Sequence, residues 1–85
     1  MFTVEVLGND GECGLLADAV RRAADFVGIA IKLVRVDQPD QIAARGVTHT
    51  PALAVDGTLR CQGELPTQAE LTSWLTTAQI KYETA

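Results

Sequence analysis

The sequence predicts one α/β domain, in which a four-stranded mixed sheet is flanked by helices in the order βαβ-α-ββα. Two observations predict this class. Short apolar segments typical of strands alternate with longer segments whose apolar residues recur every three or four positions, as in amphipathic helices. The length of 85 residues suits one domain and is too short for two. We assign residues 1–79 to the domain and residues 80–85 to a C-terminal tail.

The first half of the sequence predicts a strand, a helix and a second strand. Residues 2–7 alternate in polarity and precede the turn sequence Gly-Asn-Asp-Gly at 8–11. Residues 12–27 have the apolar spacing of a helix that ends at Gly28, and residues 29–36 are again strand-like. The apolar helix positions are Leu15, Leu16, Ala19, Val20, Ala23, Ala24 and Val27. Because such crossovers are right-handed, we expect the two strands to be parallel.

The second half predicts a short helix, a hairpin and a final helix. Residues 39–45 begin with a proline, which is tolerated in the first turn of a helix. Residues 52–55 and 58–62 flank an Asp-Gly pair, the sequence typical of a two-residue hairpin turn. A Thr and a Glu three residues apart form a capping box before the last helix, which is predicted over residues 68–78.

Composition and charge exclude several classes of function. The net charge is −4 and the seven Lys and Arg residues are scattered, which argues against nucleic-acid binding and against a basic membrane surface. No apolar run has the length of a membrane span, and the N-terminal segment reads as a strand and not as a secretion signal. We therefore expect a cytoplasmic protein. Two cysteines and the lone His49 are too few for a zinc site, so no metal and no cofactor are predicted.

Several landmarks carry a resemblance to a known family. The sequence resembles the small glutaredoxin-like thioredoxins that are also called redox-active disulfide proteins, over residues 1 to about 76. The landmarks are Val6-Leu7-Gly8, Val27-Gly28-Ile29, Pro39 with Ile42 and Gly46-Val47, Thr50-Pro51-Ala52-Leu53 with Val55-Asp56-Gly57, and Gly63 with Pro66. The resemblance implies a thioredoxin-like fold in which the Thr50–Pro51 peptide bond is cis and faces the active-site thiols. It also implies that Thr50, Pro51 and Gly63 contact the substrate.

The sequence departs from this family at the redox motif. The family has a Cys-x-x-Cys motif where the first helix begins, and here the corresponding residues read Asp10-Gly11-Glu12-Cys13. Counted back from Gly28, Cys13 corresponds to the resolving thiol and Asp10 replaces the attacking one; counted forward from Gly8, the attacking position falls on Gly11. Neither a carboxylate nor a glycine can attack a disulfide, so turnover by two neighbouring thiols is excluded. We expect Asp10 to cap the helix, and we expect the negative charge of Glu12 in the first turn to interact favourably with the helix dipole.

Three interpretations of Cys13 remain open. It is a buried small hydrophobic residue, a lone reactive thiol, or the partner of Cys61 in a disulfide. With a regular two-residue turn, the hairpin register places Cys61 opposite Ala52, near Pro51. His49 is expected to be an exposed loop residue, and a role in tuning Cys13 is the alternative.

Two functions follow from these residues. The first is a thiol-disulfide redox or thiol-carrier role that uses Cys13 as the candidate thiol, with Cys61 as a possible partner thiol. The second is a non-catalytic, degenerate thioredoxin-fold module for binding or assembly, which offers backbone groups beside Pro51 to an extended peptide. In both cases we expect a protein or small-thiol partner. The sequence leaves the oligomeric state and the presence of enzymatic activity open.

Overall fold

The computed structural model describes the backbone of residues 2–84 and the side chains of residues 2–81. Over these residues the chain forms four strands and three helices, in the predicted order. They are β1 (Phe2–Leu7), α1 (Asp10–Val27), β2 (Ile31–Val36), α2 (Pro39–Ala44), β3 (Ala52–Val55), β4 (Thr58–Gln62) and α3 (Gln68–Thr84).

The four strands form one mixed sheet in the order β2-β1-β3-β4. β1 and β2 are parallel, as the crossover predicts, and their register runs from Phe2 opposite Ile31 to Leu7 opposite Val36. The pairs β1–β3 and β3–β4 are antiparallel. The sheet and its flanking helices confirm the predicted α/β thioredoxin-like fold.

The sheet separates two apolar cores. On one face α1 and α3 pack against the sheet, and on the other face the shorter α2 covers a smaller cluster. Successive side chains of β1 point to opposite faces of the sheet and therefore enter different cores. Val4 and Val6 lie in the larger core, and Leu7 lies in the smaller one. The buried residues of the larger core are Phe2, Val4, Val6, Cys13, Leu16, Val20, Ala23, Ala24, Leu53, Val55, Leu71, Leu75 and Ala78.

Helix α1 begins two residues earlier than predicted, because Asn9 and not Asp10 is its N-cap. The Asn9 side chain accepts a hydrogen bond from the Glu12 backbone N–H at 2.8 Å. The Glu12 carboxylate accepts one from the Asn9 N–H at 2.9 Å, which completes a capping box. The expectation that Asp10 caps this helix is therefore wrong.

The β3–β4 hairpin has the predicted turn and an unpredicted β-bulge. Asp56 and Gly57 both have positive φ, at 51° and 83°, as a two-residue hairpin turn requires. The register then shifts beside Ala54, so that Leu53 and not Ala52 lies opposite Cys61. The predicted register for Cys61 is wrong by one residue, since a bulge places one extra residue in β4.

Helix α3 starts as predicted and extends further. The Thr67 hydroxyl accepts from the Glu70 backbone N–H at 3.1 Å, and the Glu70 carboxylate accepts from the Thr67 N–H at 3.0 Å. The helix continues to Thr84, so the segment assigned to a tail is helical up to that residue. Neither Gly nor Pro follows the predicted end, and nothing in the local sequence stops the helix there.

Candidate functional site

The three predicted binding residues lie together at one end of the sheet. The Thr50–Pro51 peptide bond is cis. The Gly63 N–H donates a hydrogen bond to the Pro51 carbonyl at 2.8 Å, which ties the loop before α3 to the proline loop. Gly63 has a φ of +87°, a left-handed conformation that favours glycine, so this residue allows the loop to turn back toward Pro51.

A groove of about 340 Å³ adjoins this loop and the first turn of α1. Apolar residues of α2 and its flanking segments line one part of the groove, and polar residues of the α1 turn line another. The lining residues are Gly8, Asn9, Glu12, Asp37, Pro39, Ile42, Ala43, Val47 and Thr50. The groove thus joins Thr50 to the N-terminal end of α1, and neither cysteine lines it.

Gly8 lets the helix start close to the end of β1. Its φ is +152°, and a Cβ there would lie 2.8 Å from the Glu12 Oε1 and 2.9 Å from the Glu12 Cβ. A side chain at this position would displace the Glu12 half of the capping box. The shape of the groove next to α1 therefore depends on a glycine at position 8.

The Cys13 thiol lies inside the larger core, with none of its surface exposed. Its Sγ donates to the Val6 carbonyl at 3.4 Å and also lies 3.5 Å from the Gly8 carbonyl oxygen. Burial raises the pKa of this thiol, since the thiolate loses its hydration, and the positive charge of Arg35 only partly opposes the rise. Cys13 is thus held as a protonated thiol that donates to the backbone.

Asp10 stands where the resemblance places the attacking cysteine. Its side chain is 93% exposed and pairs with Arg35 across the start of α1, with 3.0 Å between the Arg35 Nη1 and the Asp10 Oδ1. Such an exposed pair contributes little to stability. Both charges of this ion pair act on the Cys13 thiol, and neither group supplies a nucleophilic sulfur.

Cys61 lies on β4 in a different environment. It is partly buried, packs against the larger core, and lines a groove of about 380 Å³. Burial raises the pKa of this thiol, and the carboxylate of Glu70 raises it further. The lining residues are Leu59, Arg60, Cys61, Gln62, Glu64, Glu70 and Trp74.

The structure does not join the two cysteines. Both are free thiols, and their hydrogen-bonding neighbours differ completely. The Cys13 Sγ faces the Val6 carbonyl, whereas the Cys61 Sγ lies 4.0 Å from the Glu64 carbonyl oxygen. A native disulfide between them, one of the three interpretations of Cys13, is absent from this structure.

His49 is an exposed loop residue. Its Nδ1 lies 3.0 Å from the Thr48 hydroxyl, and Thr48 in turn bonds to the Gln62 side chain. The charges that act on the Cys13 pKa come from Arg35, Asp37 and Asp10, and none comes from His49. The histidine therefore belongs to the proline loop and not to the surroundings of Cys13.

The sequence analysis did not identify the roles of Asn9 and Arg35 at this end of the molecule. Asn9 and Glu12 have the spacing of a capping box, and this signal was present in the sequence. Arg35 had no such signal, because only the β1–β2 pairing brings it next to Asp10.

The described residues offer neither a metal-binding cluster nor a membrane-spanning helix. Among the described side chains of residues 2–81, no cluster of three or more His, Cys, Asp or Glu residues is arranged to hold a metal ion. Within residues 2–84, none of the helices has the length and apolar character needed to cross a membrane.

This combination of sheet order, cis-proline loop and one cysteine in the first helix defines a protein of thioredoxin type. A family model described as a thioredoxin domain matches residues 2–76. The chain therefore belongs to the thioredoxin domain family.

Individual relatives agree with this assignment. The chain is 31% identical over 72 residues to a thioredoxin of Methanothermobacter thermautotrophicus, a match that covers 84% of this chain and 94% of the relative. It also superimposes on thioredoxin-2, described as a component of the malaria parasite protein secretion machinery, with a TM-score of 0.57 and 17% identity. That match covers 89% of this chain and 84% of the other, and at this identity it shows the shared fold.

Proposed function

We propose that this thioredoxin-domain protein is a non-catalytic binding module, which holds an extended segment of a protein partner in the groove between α1, α2 and Thr50. The observation that carries the proposal is the complete burial of the Cys13 thiol, together with the absence of sulfur from the lining of the groove. A partner in this groove is held by contacts and not by a disulfide. The proposal retains the cytoplasmic location expected from the sequence.

The chemistry of the groove supports a partner of a particular type. Its apolar part is formed by Pro39, Ile42 and Val47, and its charged lining residues are the two acids Glu12 and Asp37. No Lys or Arg lines it. An extended segment that carries both aliphatic and basic side chains complements such a surface, because its cations face carboxylates while its apolar groups cover α2.

Peptide titration tests the proposal. Cysteine-free peptides of about eight residues, with alternating Lys and Leu, are titrated into the ¹⁵N-labelled protein and followed by NMR. We expect shifts at Gly8, Asn9 and Thr50. The variant Ile42→Glu places a charge in the apolar part of the groove and should weaken binding at least about tenfold. Leu65→Glu, which changes an exposed apolar residue outside the groove, is the matched control.

The variant Cys13→Ser separates binding from thiol chemistry. Serine keeps a donor for the Val6 carbonyl, so the fold and the peptide affinity should both be retained. The proposal is wrong if cysteine-free peptides do not bind, while cysteine-containing peptides form a dithiothreitol-sensitive adduct that Cys13→Ser abolishes.

Partial exposure of Cys61 favours a second candidate, a thiol-carrier role for this residue. In such a role the Cys61 thiolate attacks glutathione disulfide, a protein–glutathione disulfide forms, and one glutathione leaves as its thiolate. Mass spectrometry after incubation with glutathione disulfide tests it. A reversible adduct on Cys61, absent from Cys61→Ser, supports the carrier role, and an unmodified protein excludes it.

A further inference from the structure

The outer face of α1 carries an unusual exposed stripe. Leu15 is 59% exposed although its spacing predicts burial, and Phe26 is 83% exposed. The two residues are eleven positions apart, which is about three helical turns, so they lie on one line along the helix. Arg22 lies between them, one turn before Phe26, and Asp18 lies one turn before Arg22. All four side chains are exposed.

A groove of about 490 Å³ between α1 and α3 adjoins Phe26. The polar side chains that line it are turned toward the protein, since the Thr72 hydroxyl donates to the Ala69 carbonyl at 3.0 Å and the Gln68 amide donates to the Ala19 carbonyl at 3.0 Å. These bonds leave mainly apolar atoms facing the groove, and Arg22 is its one charged lining residue. An aliphatic side chain accompanied by a carboxylate complements this surface.

Helix α1 itself carries an aliphatic side chain and a carboxylate, Leu15 and Asp18, at a spacing that lets a second copy present them to this surface. If a second α1 packs antiparallel to the first, with the two-fold axis between residues 20 and 21, then Leu15 of one copy lies opposite Phe26 of the second copy. The same register brings Asp18 of one copy next to Arg22 of the second copy. Symmetry repeats both contacts, so one arrangement pairs every member of the stripe.

The charges in this stripe remain available for such a contact. Arg22 uses its Nε to donate to the Asp18 carbonyl at 3.4 Å, and the structure shows no ion pair for its guanidinium among the described residues. Asp18 is 3.8 Å from Arg21, in a pair whose side chains are both more than half exposed. A pair of this kind is weak and can be exchanged for a contact across an interface.

We propose that the outer face of α1 is a self-association surface, on which a second copy of this chain packs antiparallel through Leu15, Phe26, Asp18 and Arg22. The surface includes no lining residue of the peptide groove, so a dimer leaves that groove available. A helix about 27 Å long and about 10 Å wide presents roughly 270 Å² on one face, so the two copies together bury about 540 Å². This area is smaller than that of standard specific interfaces, and the dimer is therefore weak.

Sedimentation equilibrium from about 10 μM to about 1 mM tests this proposal, since weak interfaces become populated in that range. We expect the average mass to rise from 9.1 kDa toward twice that value. Phe26→Ser should abolish the rise. Asp18→Arg and Arg22→Glu should each weaken association at least about fivefold. The double variant should restore it, because the exchanged charges again face each other.

A matched control separates the contact from net charge. Lys32→Glu changes the charge as Arg22→Glu does, but on the edge strand β2, and it should leave association unchanged. Circular dichroism checks that every variant is folded. A wild-type protein that stays monomeric up to about 1 mM would overturn the proposal. A dimer that persists in Phe26→Ser, or that the double exchange does not restore, would overturn it as well.

Discussion

Cys13 and Cys61 have the same side chain in two different environments. Cys13 lies in the first turns of α1 with its thiol directed at backbone carbonyls, and no solvent reaches it. Cys61 lies on the edge strand β4, partly exposed, in a groove that also contains Trp74 and two glutamates. Burial is the main cause that raises the pKa of both thiols. At Cys61 the carboxylate of Glu70 is the next cause and raises the pKa further, whereas at Cys13 the next cause is the positive charge of Arg35, which opposes the rise.

The comparison of the two cysteines shows that a position in a motif and the exposure of a thiol to reagents are separate properties. The resemblance assigns Cys13 to the position of the family's resolving thiol, whereas in this structure Cys13 is a core residue. Cys61 has no counterpart in the motif, and it is the thiol that reagents can reach. A family position therefore does not establish reactivity by itself, which depends on exposure and on local charge.

Thiol modification should give the largest difference between the two residues. With an aromatic disulfide reagent at neutral pH, Cys61 should react at least about 10³ times faster than Cys13, because Cys13 reacts only when the core opens. Cys13→Ser and Cys61→Ser assign the two phases. Equal rates for both thiols in the native protein would contradict the burial of Cys13.

Replacing each cysteine by a carboxylate should give the second-largest difference between the Cys13 and Cys61 sites. Cys13→Asp places a carboxylate in the core near Asp10 and Asp37, and we expect the free energy of unfolding to fall by about 3 kcal/mol or more. Cys61→Asp should cost about 1 kcal/mol or less, since water reaches this position. Urea denaturation measures both, and similar losses would remove the distinction between the two environments.

Alkaline pH should destabilise the protein through Cys13. Its pKa is raised in the folded state, so the unfolded chain releases this proton first. The stabilisation is complete below the unfolded-state pKa, close to the ordinary value of 9.0, and is lost as pH rises through the higher folded-state pKa. Between these values the wild type should lose up to about 1.4 kcal/mol per pH unit relative to Cys13→Ser. Parallel stability curves for the two proteins would contradict this.

The smallest effect concerns the charge beside Cys61. Glu70→Gln removes a carboxylate that raises the Cys61 pKa, while glutamine preserves the capping box with Thr67. Modification of Cys61 near neutral pH should become about twofold faster, because more thiolate is present. Glu64→Gln removes a weaker influence and should have a smaller effect. A slower reaction in Glu70→Gln would show that this charge acts in another way.

Local signals in the sequence were sufficient for the order of the elements. The Asp-Gly turn, the capping box at Thr67 and Glu70, and the apolar spacing of α1 act over a few residues, so they can be read without knowing the rest of the fold. The parallel pairing of β1 and β2 followed from the handedness of crossovers. The absence of a Cys-x-x-Cys motif was equally visible in the sequence.

The tertiary structure decided which residues these elements bring together. The bulge in β4 moved Cys61 opposite Leu53, and the pairing of β2 with β1 brought Arg35 to Asp10. Leu15 has helical spacing but lies on the face that neither the sheet nor α3 covers.

Cys13 is the decisive case. The sequence allowed it to be buried, reactive or disulfide-bonded, because each of these states depends on residues distant along the chain. Packing of α1 against β1 buried its thiol and gave it the Val6 carbonyl as a partner. The sequence by itself determined the order of the elements and the absence of a Cys-x-x-Cys motif. Only the packing determined the solvent access and the charge around each thiol, since both arise from neighbours that sequence proximity does not supply.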